Sequence, residues 1–209
     1  MSECPYCEEF RSGIGPQLPS GDFADRVIAE SEHFVAMADI SPIMVGHLLV
    51  VPKRHVLCLA RLDGHEVEDL GDLLHQLVAT LGGLAPRATL EHGSDSSAEG
   101  GGCVSHAHLH LVPLLVDGPR MLSGFRTREV TSFAEFDEAV PADIPYLFVG
   151  NVNGRGLIAT ELVGLARQFI RIELARSTGV PGMAWDWRRH VRVSELEDTV
   201  ARARESLSQ

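Results

Sequence analysis

Residues 106–112 read His-Ala-His-Leu-His-Leu-Val, three imidazoles at strict two-residue spacing in an otherwise apolar run. In an extended strand, residues i, i+2 and i+4 share one face, roughly 6.5–7 Å apart. His106, His108 and His110 therefore form a row, while Ala107, Leu109 and Leu111 point to the opposite, core side. A solvent-facing row would mix Thr, Lys, Glu and Ser; here one residue type occurs three times. Imidazole, with a reference pKa of about 6.5, is mostly neutral at pH 7. It can act as a neutral nucleophile, a hydrogen-bond donor or a metal ligand, and two strand histidines at i, i+2 can chelate one ion. Cys4 and Cys7 form a second chemical group, a CxxC pair for which metal binding, redox chemistry and burial compete. No strand leads into it and no helix signal follows, which argues against a thioredoxin-like role.

The elements that must position these residues follow from periodicity. Residues 33–56 read as two short strands joined by a turn at Pro42 and Gly46, with Leu48–Val51 aliphatic throughout as in a central strand. From Gly64 to Leu84 the apolar positions follow helical spacing with acids on the other face, an amphipathic helix. A short strand is expected near Ala88–Glu91, then a glycine-rich loop, then a strand over Val104–Leu115. Beyond Val116, residues 117–130 read as a connector and 132–139 as a short helix. Residues 144–162 read as a hairpin turning at Asn153-Gly154, and residues 164–179 as a helix ending at Gly179. A final helix is expected to carry Ser194 as N-cap and Glu197 in a capping box.

The 209 residues allow one substantial core, or one domain with an extension. No apolar stretch is long enough to span a bilayer, and the first residues lack the pattern of a secretory signal, so a cytoplasmic protein is expected. In that reducing compartment Cys4, Cys7, Cys58 and Cys103 are read as metal ligands or packing residues, not disulfides. The formal net charge of −11 argues against nucleic acid or anionic membrane as partner. Lys53 is the only lysine, so a lysine-dependent phosphate loop elsewhere is excluded.

His-Ala-His-Leu-His-Leu-Val resembles the histidine triad motif. Upstream, "DISPIMVGHLLVVPKRH" (residues 39–55) resembles the other diagnostic segment of that superfamily, an acid and a proline preceding a strand that ends in Pro-Lys-x-His. The two segments lie in the expected order with a helix between them, and the resemblance covers about residues 4 to 116. It implies an α+β fold, an antiparallel sheet flanked by helices. Residues 1–120 would form the triad domain, and residues 121–209 a carboxy-terminal α+β extension packed on it. It also implies hydrolysis or nucleotidyl transfer at the α-phosphate of a nucleoside phosphate ester, anhydride or amidate. His108 would attack phosphorus through Nε2 with its Nδ1–H held by a backbone carbonyl, and His110 would donate to a non-bridging oxygen. Histidine rather than glutamine at the third position favours water as final acceptor. The alternatives are a transferase or phosphorylase using the same intermediate, and a non-catalytic zinc-stabilised nucleotide-binding protein.

The same resemblance assigns a structural Zn²⁺ to Cys4, Cys7, His55 and His106. The competing assignment places His55 in a relay to the catalytic site, and the metal is taken here. Asp39 matches the acidic position that holds ribose hydroxyls. Phe34 and Ile40 are candidates for the base pocket, and His92 and Ser105 for contacts to phosphate or leaving group. Relatives often carry Gly-Gln before the triad, where this chain has Gly101, Gly102 and Cys103, which leaves the leaving group open. A small-molecule nucleotide is the expected partner, and a homodimer is allowed. In the extension Arg171 is read as reaching a distal phosphate or lying on a solvated helix face, and His47 carries no signal.

Overall fold

Among the described residues eight strands join in one antiparallel sheet, in the order β1-β2-β3-β5-β4-β7-β8-β6. They are β1 Val27–Glu30, β2 Phe34–Ala38, β3 Leu48–Pro52, β4 Ala88–Gly93, β5 Leu109–Val112, β6 Thr127–Val130, β7 Tyr146–Gly150 and β8 Gly156–Ala159. Among the described residues six α-helices accompany them: α1 Pro5–Ser12, α2 Gly64–Thr80, α3 Gly118–Met121, α4 Phe136–Ala139, α5 Phe169–Thr178 and α6 Val193–Leu207. This computed structural model describes residues 4–15, 18, 20–93, 104–180, 186, 187 and 189–208. The glycine-rich stretch, with Gly101, Gly102 and Cys103, lies outside the described residues. Among the described residues no helix is long and apolar enough to cross a membrane.

The period-two alternation of the strands divides the apolar residues between two faces, one cluster on the first and two on the second. Phe34, Ala36 and Ala38 of β2, Leu48 and Val50 of β3, and Ala107, Leu109 and Leu111 share one face. The apolar stripe of α2 covers it with Leu70, Leu73, Leu74 and Leu77, joined by Leu196, Val200 and Ala203 of α6. Asp63 and Glu66 cap α2 reciprocally, each side chain accepting the other's backbone N–H. On the opposite face, Val35, Met37, Leu49 and Val51 pack against Tyr6 of α1 and Phe23. Farther along that face Leu90, Leu147 and Val149 meet Ile170 and Leu174 of α5. Leu90 is the cross-strand partner of His110, which puts the histidine row between α1 and α5. Strands buried on both faces read as continuous apolar runs, as β2 and β3 do.

Several elements depart from the sequence expectation. β5 spans Leu109–Val112, not 104–115, because its neighbour β3 ends at Pro52, which has no N–H to extend the ladder. The Ala107 N–H instead donates to the Val56 carbonyl at 2.7 Å. A helix does follow Cys4, with Pro5 in its first turn and Gly13 in the left-handed conformation at its end. The stretch read as a connector holds α3 and the edge strand β6, whose first three residues are exposed and so show no alternation. β1 is too short to signal itself. α5 begins at Phe169, after Gln168 at φ +60°, so the helix expected over 164–179 is shorter. Arg192, not Ser194, stands at the N-cap of α6, and its guanidinium donates to the carbonyls of Pro42 and Ile43. The hairpin turns where expected, with Gly154 at φ +77° and a Cβ there 2.3 Å from the Phe133 nitrogen.

Glu91 of β4 is fully buried on the α2 side. It accepts the Leu59 N–H at 2.8 Å and binds the Tyr146 hydroxyl. Burial pushes its carboxyl up to about 8 against an ordinary value of 4.5, outweighing both hydrogen bonds. The folded state thus holds a proton that the unfolded chain releases. The associated stability is complete below about pH 4.5 and is lost as pH rises through about 8. Glu91→Gln mimics the protonated form, so its melting temperature is expected to fall less than that of the parent across this range. Parallel melting curves against pH would contradict the assignment.

Candidate active site

The histidine row is fixed by its hydrogen bonds, and these set each ring's tautomer. His108 Nδ1 lies 2.8 Å from the His106 carbonyl, so Nδ1 carries the proton and donates. Nε2 of His108 is then left with its lone pair. The Ile43 N–H donates to His47 Nδ1 at 3.1 Å, so His47 carries its proton on Nε2. That Nε2 lies 2.9 Å from His110 Nδ1 and donates to it. His110 is therefore protonated on Nε2. His106 donates from Nε2 to the Pro52 carbonyl at 2.8 Å, which frees its Nδ1 to face sulfur. Burial lowers all four rings, His47 and His106 to about 4 and His110 well below its ordinary value, so they are neutral at pH 7.

Asp39, at the end of β2, faces this row. Its Oδ1 accepts the Ser41 N–H at 2.7 Å, and its Oδ2 lies 2.7 Å from Arg171 Nη1 and 3.8 Å from His47 Nε2. Burial alone would raise this carboxyl. The Arg171 guanidinium, with the Ser41 N–H, outweighs that and holds it well below the usual carboxylate range. Arg171 is buried too and also donates to the Ser41 carbonyl. Asp39, His47 and His110 are close enough to suggest a cation site, but the ring lone pairs are already taken, that of His47 by the Ile43 N–H and that of His110 by His47, and Asp39 is paired with Arg171.

A cavity of about 220 Å³ opens in front of His108 and His110, between α1 and α5. Asp39, Ile40, Leu49, Arg171 and Trp187 line it together with Tyr6, Glu9, Val104 and Arg26. Arg26 is bound to Glu9 at 2.6 Å. Tyr6 meets the His106 and His108 rings edge-on, with centroids 5.6 and 5.8 Å away. Four donors meet at the start of α1: Cys4 Sγ lies 3.2 Å and Cys7 Sγ 3.6 Å from His106 Nδ1, and Cys7 Sγ lies 3.3 Å from His55 Nδ1. All four fall within 4.8 Å of one another, the donor set and spacing of a tetrahedral metal centre. The Pro52 carbonyl on the far nitrogen of His106 is the outer-shell contact such a ligand requires.

The residues singled out in the sequence thus divide. Cys4, Cys7, His55 and His106 converge at one point, and His108, His110, Asp39 and Ile40 at the cavity. Phe34 is a correction: strand alternation turns it to the α2 face, where it is fully buried in the core. His92 and Ser105 are not among the cavity's lining residues. Arg171 lies on no solvated face, being 3% exposed. His47, Tyr6, Glu9 and Arg26 carried no legible signal; a lone histidine after Gly46 or a tyrosine in CPYC acquires meaning only through the fold.

Known proteins bear on this geometry. The family model described as HIT domain matches residues 20–115. An uncharacterised HIT-like protein of Mycoplasma genitalium is 30% identical over 112 residues, 54% of this chain and 73% of its own length. The asymmetrical bis(5'-nucleosyl)-tetraphosphatase of Schizosaccharomyces pombe is 28% identical over 78 residues, 37% of this chain and 43% of that enzyme. Among solved structures, a zinc-bound histidine triad family protein from Mycobacterium smegmatis is 22% identical, covering 55% of this chain and 77% of that one with a TM-score of 0.40.

Proposed function

The chain belongs to the HIT (histidine triad) family, and from that premise we propose that it is a nucleotide hydrolase acting at the α-phosphate of a nucleoside phosphate derivative. The single observation that carries this reading is the tautomer chain. His108 directs an unprotonated Nε2, and His110 a protonated one, into the same cavity. In the first step a bond forms between His108 Nε2 and phosphorus as the bond to the leaving oxygen or nitrogen breaks, and the leaving group departs with the bonding pair and takes a proton from solvent. In the second, water adds its oxygen to phosphorus and gives up a proton to solvent as the P–N bond breaks, the electron pair returning to Nε2 to restore the neutral ring and release a nucleoside monophosphate. The His110 Nε2–H stabilises the charge that develops on a non-bridging oxygen in both steps. Ile40 with Leu49 and Trp187 would form the apolar wall for the base, and Asp39 would accept from ribose hydroxyls.

Cys4, Cys7, His55 and His106 would hold a structural Zn²⁺. Two thiolates cancel the ion's charge, so its part is to fasten α1, and with it Tyr6 and Glu9, to the strand beside His108. The experiment is turnover of nucleoside polyphosphates, phosphoramidates and sugar nucleotides in ¹⁸O-labelled water. The expected product is a nucleoside monophosphate carrying one labelled oxygen. Turnover only after addition of phosphate or a sugar phosphate would replace hydrolase by transferase.

A further inference from the structure

The cavity asks one apolar space to hold two anions, the Asp39 carboxylate and the phosphate brought to His108. Like charges in a poorly solvated site repel strongly unless a cation stands between them. The groups facing Asp39 are Arg171 from α5, His47 from the turn before β3, His110 from β5 and His108 just ahead of that strand. Arg26 also approaches, its Nη1 lying 3.4 Å from the Ala38 carbonyl, and it carries Glu9 of α1 with it. His47 and His110 each accept a hydrogen bond on Nδ1 and so carry no charge, and Arg26 is matched by Glu9. Arg171, at 2.7 Å, is the cation matched to Asp39.

Resting on the hydrolase reading above, we propose that Arg171 sets the selectivity of this site for phosphorylated over unphosphorylated nucleosides. It does so by neutralising Asp39 where the anion binds. The carboxyl-terminal segment is thereby a working wall of the site. Trp187 joins that wall, and Ser41 Oγ donates to the His190 carbonyl, so the segment grips the loop that carries Asp39. The device lets one carboxylate serve ribose hydroxyls without repelling the phosphate a few bonds away.

The test is calorimetric titration of the full chain, parent and variants, with adenosine, AMP, guanosine and GMP. Arg171→Met is expected to weaken monophosphate binding roughly 100-fold, the order seen when one partner of a buried charge pair is removed. Nucleoside binding should change less than about threefold, inside the context scatter of a lost neutral contact. Asp39→Asn leaves the arginine uncompensated, so the ratio of monophosphate to nucleoside affinity should rise as nucleoside binding weakens. These opposite signs separate selectivity from a folding role, and Asp39→Asn carries the test if Arg171→Met does not fold. Equal losses for both ligand types in Arg171→Met, or a falling ratio in Asp39→Asn, would overturn the proposal and leave the hydrolase reading in place. Failure of the parent to bind any monophosphate would overturn both.

Discussion

His108→Ala is expected to lower turnover by about four orders of magnitude or more, as removal of a covalent nucleophile does. The fold should survive the change. The side chain lies on the cavity side of the sheet, and what the protein loses is its Nδ1–H bond to the His106 carbonyl, worth about 1 kcal/mol. His110→Ala should cost less, about 10²–10³, the scale of one lost donor to a developing oxyanion. Circular dichroism, metal content and melting temperature of both variants, measured beside their turnover, separate chemistry from folding. Near-parental activity in a folded His108→Ala protein would sink the nucleophile assignment.

The second large effect is expected on removing the metal or its sulfur ligands. Helix α1 has only eight residues, too few to persist alone in water. Its attachments include the Cys4, Cys7, His55 and His106 cluster, the Tyr6 ring against the triad, the Phe10 ring against Phe23 and the Glu9–Arg26 pair. Structural zinc contributes about 10–16 kcal/mol in isolated zinc-finger peptides. Here the sheet and α2 bury a core of their own, so only the amino-terminal share is at stake. A loss of at least about 3 kcal/mol is expected, a fall in melting temperature of about 6–12 °C at this chain length. Chelation or Cys4→Ser should produce it and should also raise KM, since α1 walls the cavity. Elemental analysis should give one zinc per chain. A metal-free protein with the same melting temperature and KM would contradict the assignment.

How much of this was legible beforehand depended on whether a feature was local. The two-residue spacing of His106, His108 and His110 and the helical spacing of α2 are local patterns; α2 is realised in full, while of the row only His110 falls within β5, although Ala107, Leu109 and Leu111 still share the core side. The Cys4–Cys7 pair signalled ligands, and the family resemblance supplied the histidines that complete the cluster. Asp39 was readable as a carboxylate before Ser-Pro, but its partner stands 132 residues away, and nothing local links them. His47 was invisible for the same reason, since its role arises from the Ile43 N–H and His110 meeting it in space. Phe34 was misplaced because an apolar residue at a strand position does not declare its face until register is known. β6 was missed because an exposed edge strand buries only one of its four residues.

The most direct test of the nucleotidyl-histidine route is the stereochemical course at phosphorus. A substrate made chiral at the α-position with sulfur and oxygen isotopes would be hydrolysed, and the configuration of the product read by phosphorus NMR. Two successive in-line displacements, first by His108 and then by water, predict retention. Inversion would mean that water attacks directly and that His108 forms no bond to phosphorus.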